Sequence, residues 1–147
     1  MTKVSRWMTK NPITVEDSTT IIEAIHIMKE RNIRRLPVMR KGKLVGLLTD
    51  RMLKEYTPSK ATSLDTWEIH YLLSKTPVTE AMNPKPYKIT ADSDLPDACQ
   101  LIHDNKLYGL CVVDDKGDLV GILTTTNILQ ALITICKNPQ AAMENNH

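Results

Sequence analysis

Apolar positions along the chain change period in a fixed order. Ile21, Ala24, Ile25 and Met28 are spaced by three and four, the stripe of one helix face. In "IRRLPVMR" (33–40), Leu36 and Val38 alternate with polar neighbours, which predicts a strand. Gly42 marks a hairpin turn, and a second apolar strand, Leu44 to Leu48, runs into Thr49, a residue suited to cap a following helix. The same order then returns. Leu95, Ala98, Cys99 and Ile102 form a helical stripe, "LYGLCVVDD" (107–115) alternates at Leu110 and Val112, Gly117 marks a turn, and Leu119 to Leu123 runs into Thr124.

Laid over itself at an offset of 74, the chain pairs Val4 with Val78, Met8 with Met82, Pro12 with Pro86 and Val15 with Ile89. One extra residue in the second turn, "DDKGD" against "RKGK", moves the offset to 75. Thr20-x-x-Glu23 and Asp94-x-x-Asp97 read as helix starts, with a capping oxygen and an acid three residues on, and Pro96 sits in a first turn where proline is tolerated. Each half therefore reads as β-α-β-β-α with a short first strand. The expected fold is α+β: two repeats related by a pseudo-two-fold, their sheets packed together with helices outside. A single unit of this size buries a modest core, so pairing explains the duplication. The expected organisation is repeat 1 over 1–56, a linker over 57–77, repeat 2 over 78–137 and a flexible tail over 138–147. In the linker, "TPSKATS" reads as turn. Leu64, Trp67, Tyr71 and Leu72 predict a connecting helix over 64–75 that packs through those residues.

Charge narrows the function. Nineteen basic against seventeen acidic residues leave a net charge of +2, too balanced for a dedicated nucleic-acid surface. Phe is absent, so base-stacking platforms lack material. Cys99, Cys111 and Cys136 are odd in number and widely spaced, which fits neither a disulfide framework nor a zinc site. His26, His70, His103 and His147 form no ligand cluster, and no phosphate-loop, dinucleotide or nucleophile-elbow motif occurs. The N-terminus has no signal-like apolar core and no apolar run spans a membrane. The expectation is a cytoplasmic protein that is not an enzyme, has no metal, and contacts neither membrane nor nucleic acid.

The recurring Met-x-x-x-Pro, the Leu36-Pro37-Val38 strand, Gly42-Lys43-Leu44-Val45-Gly46 and the Gly-x-x-Thr step ending at Thr49 and Thr124 resemble the CBS domain, and two in tandem resemble a CBS pair, or Bateman module. The resemblance covers residues 4 to about 56 and 78 to about 136. The bridge "SKATSLDTWEIHYLLSK" also looks like that of small bacterial CBS proteins similar to the acetoin-utilisation protein. The resemblance implies a regulatory module that binds AMP, ADP, ATP or S-adenosylmethionine in a cleft between the repeats, forms a disc-shaped homodimer and modulates a partner protein. The alternative is a structural or dimerisation module whose ligand site has degenerated.

In the family, the Thr of Gly-x-x-Thr contacts ribose or phosphate and an Asp three residues on accepts from the ribose hydroxyls. Those positions are Thr124 and Asn127 in repeat 2, and Thr49 and Met52 in repeat 1. A strand entering a helix N-terminus suits phosphate, and residues three apart in a first turn share a face. Met52 offers no strong acceptor and Asn127 a neutral one, so at most one good nucleoside site is expected, on Thr124 and Asn127. Adenine would lie against Thr14 and Val15 or against Lys88 and Ile89, and Arg34 and Arg35 are candidates for phosphate. Arg51 reads better as a solvated helix residue and Met52 as core filler.

Overall fold

The computed structural model of the chain describes residues 1–60 and 65–143, with the backbone alone at 58–60. In chain order the elements are α1 (Val4–Trp7), β1 (Thr9–Lys10), β2 (Val15–Glu16), α2 (Ile21–Arg31), β3 (Arg35–Arg40), β4 (Lys43–Thr49), α3 (Asp50–Lys60), α4 (Thr66–Lys75), β5 (Lys88–Thr90), α5 (Leu95–Asp104), β6 (Gly109–Val113), β7 (Leu119–Thr124) and α6 (Thr125–Lys137). The fold is α+β, with two copies of the β-α-β-β-α pattern. Short 3-10 turns occupy Val78–Glu80 and Pro139–Ala142. The turn expected at "TPSKATS" is partly helical, because α3 continues to Lys60; residues 61–64, Leu64 among them, lie outside the described residues, as do 144–147 of the tail.

These elements form two compact units, and the units are not the two halves of the sequence. One comprises Ile13–Pro86; the other joins Met1–Pro12 to Tyr87–His147.

In the unit Ile13–Pro86, the sheet order is β2-β3-β4, with β2 parallel to β3 and β3 antiparallel to β4. The hairpin turns through Lys41 and Gly42, both at positive φ (50° and 77°), the backbone of a two-residue turn that matches strand twist. Helix α2 opens with the expected capping box: Thr20 accepts from the Glu23 N–H, and the Glu23 carboxylate accepts from the Thr20 N–H. Its stripe is buried as expected at Ile21, Ala24 and Met28, against Leu36, Val38 and Leu48 of the sheet.

Helix α4 reverses an expectation. Leu73 is buried and Ile69 packs on the same core, whereas Trp67 and Tyr71 are 84% and 66% exposed. Two apolar faces compete on this helix. The smaller aliphatic pair fits the close-packed interior, and the aromatic pair faces out with the Lys75 ammonium 5.7 Å from the Tyr71 ring centre.

In the other unit, the sheet order is β1-β7-β6-β5. Strand β5 runs parallel to β6, and β6 antiparallel to β7. A register shift at Val112/Val113 repeats the one at Val38/Met39, a bulge that the duplication copied. Leu95, Ala98 and Ile102 of α5 bury their stripe against Leu110, Val112 and Leu123. Asp94 sits at the N-cap of α5 but makes no capping bond; its carboxylate takes the Lys3 ammonium at 2.9 Å instead. The first residues are stitched in: Thr2 and Val4 are buried, and Thr2 N–H donates to the Ala142 carbonyl at 2.9 Å. The tail is described as far as Met143, with Pro139–Ala142 in a short 3-10 turn.

Candidate ligand site at the N-terminus of helix α6

β7 ends at Thr124, whose backbone is still extended (φ −112°, ψ 166°), and α6 begins one residue later. The Thr124 hydroxyl accepts from the Asn127 N–H at 3.3 Å. The Asn127 side-chain carbonyl accepts twice, from the Thr124 N–H at 2.8 Å and from the Thr124 hydroxyl at 3.0 Å. Thr124 and Asn127 thus form a capping box of their own. The remaining amide group points elsewhere: Asn127 Nδ2 donates to Thr9 Oγ1 at 3.4 Å.

Thr9 escaped the sequence reading. It arrives from β1, which pairs antiparallel with β7 through Thr9 opposite Ile122 and Lys10 opposite Gly121. The available signal was the repeat itself. Asn83, the counterpart of Thr9 at an offset of 74, makes the same bridge to Leu47 in the other unit, with N–H···O bonds of 2.9 Å in both directions.

The counterpart in repeat 1 is built differently. Thr49 Oγ1 accepts from the Met52 N–H at 3.1 Å, so its cap survives. The Met52 side chain packs against the apolar core, as a core-filling residue does. Arg35 stands opposite Thr49 in the β3–β4 ladder, where repeat 2 has Gly109 opposite Thr124. Half-burial pushes the Arg35 guanidinium below its ordinary pKa, with Asp50 pulling the other way and Arg34 adding to the depression. Arg34 is exposed and lines a groove of about 590 Å³ with Ile25, Met28, Asp50, Leu53 and Lys54. Arg51 pairs with Glu55 at 3.1 Å along its own helix, a solvated position as expected.

The adenine candidates separate by unit. Thr14 and Val15 share a unit with Thr49, Arg34 and Arg35, whereas Lys88 and Ile89 share one with Thr124 and Asn127. Val15 is buried and Ile89 packs on the neighbouring core, while Thr14 and Lys88 are exposed. Lys88 lies opposite Cys111 and Cys111 opposite Ile122, so β5 is two strands away from β7.

Burial pushes the Cys111 thiol up to about 11, and it also raises Cys99. Among the described residues, no three His, Cys, Asp or Glu side chains gather in a way that would hold a metal. No helix among them is long and apolar enough to cross a membrane.

The family model of the CBS domain matches residues 4–58 and 78–134. The chain therefore belongs to the CBS domain family and carries two copies in tandem. The CBS domain-containing protein YhcV of Bacillus subtilis is 32% identical over 123 residues, 84% of this chain and 80% of that protein. Among solved structures, CBSX2 in complex with AMP superposes with a TM-score of 0.77 at 29% identity, over 92% of this chain and 99% of that one; the protein is from Arabidopsis thaliana. The CBS domain pair of protein MJ0100, solved with 5-methylthioadenosine and S-adenosyl-L-methionine, gives 0.74 at 25% identity over 88% and 98%. AcuB, an acetoin utilization protein of Vibrio cholerae, gives 0.77 at 25% identity over 94% and 95%.

Proposed function

We propose that this chain is a non-catalytic regulatory module that senses an adenosine-containing ligand, AMP, ADP, ATP or S-adenosylmethionine, works as a homodimer and modulates a partner protein. The observation that carries the proposal is the cluster of Thr124, Asn127 and Thr9 at the start of α6. Three polar side chains meet there at 3.0 to 3.4 Å at the positive end of a helix dipole. Repeat 1 has an apolar Met52 at the matching position. The complexes of CBSX2 with AMP and of MJ0100 with 5-methylthioadenosine and S-adenosyl-L-methionine support adenosine as the ligand class. Lys88 and Ile89 are the better-placed adenine candidates, since they share the unit of Thr124. Arg34, Arg35, Thr49, Thr14 and Val15 would serve a weaker, anion-preferring subsite on repeat 1.

One observation favours a structural module instead. The Asn127 side-chain carbonyl is already engaged by two capping bonds, which leaves a ribose diol little to donate to. Titration calorimetry against AMP, ADP, ATP and S-adenosylmethionine, with oligomeric state followed by light scattering, separates the readings. Micromolar binding near one per chain, abolished by Thr124→Ala with Asn127→Ala, supports the sensor. A clean dimer that binds none of the four supports the structural module.

A further inference from the structure

Strand register decides which side chains stand beside the start of α6. Leu110 and Leu123 lie opposite each other in the β6–β7 ladder and are buried in the core. The next pair along, Gly109 opposite Thr124, therefore belongs to the other face of the sheet. The β1 flank of Thr124 and Asn127 is occupied: Met8 closes over Gly121, and Thr9 holds the Asn127 amide. On the β6 flank, position 109 carries no side chain. Gly109 is not at positive φ, so its backbone does not require glycine. What glycine supplies is room at a position whose side chain would stand about 5 Å from that of Thr124.

Repeat 1 fills the same position. There Leu36 and Leu48 are the buried pair, and the next pair is Arg35 opposite Thr49. Pro37 and Leu47 form the following pair on the face that Arg35 and Thr49 share. Arg35 is half-buried, and burial lowers its pKa. No hydrogen bond or ion pair to a described residue engages its side chain. A half-buried guanidinium without a bonded partner is held by the packing of its stem, not by pairing of its charge.

We propose that residue 109, with its counterpart 35, is the size gate of the ligand site. Glycine leaves room for a ribose against Thr124 and Asn127, and arginine takes that room against Thr49 and Met52. The inference rests on the adenosine reading above and adds to it a specificity-determining position on β6. Repeat 1 then has two independent reasons to refuse a nucleoside: Met52 offers no strong acceptor, and Arg35 fills the space. Such a copy is left able to attract an anion without housing the sugar.

Calorimetry of the full chain, with AMP and S-adenosylmethionine as probes, tests the gate. Gly109→Ala should weaken binding about threefold and Gly109→Arg about a hundredfold or more, the loss following side-chain volume. Gly109→Met, long but uncharged, should lose binding as well, which separates filled space from added charge. Unchanged or tighter binding in Gly109→Arg overturns the gate, because the guanidinium would then recruit the ligand and not exclude it. Circular dichroism checks folding. Should the larger variants unfold, the reciprocal change decides: Arg35→Gly with Met52→Asn copies the repeat 2 arrangement into repeat 1 and should raise the stoichiometry from one ligand per chain to two. A count that stays at one overturns the gate and leaves the adenosine reading standing. An unaltered chain that binds neither probe overturns the adenosine reading itself.

Discussion

Met8 closes over Gly121. A methyl group added at Gly121 would lie 2.6 Å from the Met8 sulfur and 2.8 Å from the Thr9 carbonyl oxygen, both inside van der Waals contact. Met82 closes over Gly46 in the same way in the other unit, with the Asn83 carbonyl oxygen at 3.0 Å. The residue before each bridging strand is thus a thioether seated on a bare strand position. Each repeat's leading segment is held on the sheet of the opposite repeat's unit.

Gly121→Ala should destabilise the protein by about 1–3 kcal/mol. At both glycines the shortest contact is with a methionine sulfur that can rotate away; the backbone oxygen, which cannot, is closer at Gly121 (Thr9, 2.8 Å) than at Gly46 (Asn83, 3.0 Å). Gly46→Ala should therefore cost less. Urea unfolding of both variants checks the order, and Met8→Ala combined with Gly121→Ala should recover part of the loss through the sulfur contact.

Asn127→Ala removes half of a capping box and should cost about 1 kcal/mol. Asn127→Asp keeps the acceptor and adds negative charge at a helix N-terminus, which should stabilise α6 by about 0.3–1 kcal/mol. The same change provides a charge-assisted acceptor for ribose hydroxyls, so AMP should bind about tenfold more tightly. Thermal unfolding and calorimetry on the pair of variants read both effects.

The two faces of α4 should respond oppositely to truncation. Leu73→Ala opens the buried core and should cost about 2–5 kcal/mol. Trp67→Ala, at 84% exposure, should change stability by no more than about 0.5 kcal/mol. Equal losses in denaturant titrations would mean that Trp67 is covered in solution.

Thiol labelling should follow burial. Cys136 is exposed and Cys111 is buried with its thiol raised to about 11, so at pH 8 only about one Cys111 in a thousand is thiolate even when reached. Cys136 should react first with a disulfide reagent, Cys99 more slowly, and Cys111 only on unfolding. Mass spectrometry of labelled peptides gives the order.

The Lys3–Asp94 pair sets a pH window. The Lys3 hydrogen bond holds the Asp94 carboxyl below its ordinary value, and Asp94 raises Lys3 above its own. A depressed carboxyl contributes stability above its unfolded pKa and loses it as pH falls through the folded one; a raised ammonium contributes below its unfolded pKa and loses it as pH rises through the folded one. Asp94→Asn should therefore be less stable than the original at pH 7. The difference should shrink as pH falls through the depressed Asp94 carboxyl value, measured by urea midpoints at pH 7 and pH 3.

Local order was legible in the residues. Stripes at three and four, alternation at two, Thr20 with Glu23, and Gly42 at a turn act over a few positions, and α2, α5, the two hairpins and the caps at Thr49 and Thr124 followed from them. The internal repeat carried this further, since a pattern seen twice is read twice, and it exposed Met52 and Asn127 as the places where the copies differ. Tertiary structure decided what no local period encodes. Helix α4 carries two apolar faces, and only the shape of the surrounding core selects Ile69 and Leu73 over Trp67 and Tyr71. Asp94 had two bonds within reach, and the arrival of Lys3 from 91 residues away turned it from the helix cap to an ion pair. Thr9 reaches Asn127 across 118 residues because an edge strand needs a partner for its open N–H and C=O groups, and β1 satisfies β7. Such pairings depend on which surfaces remain uncovered once the local elements have formed.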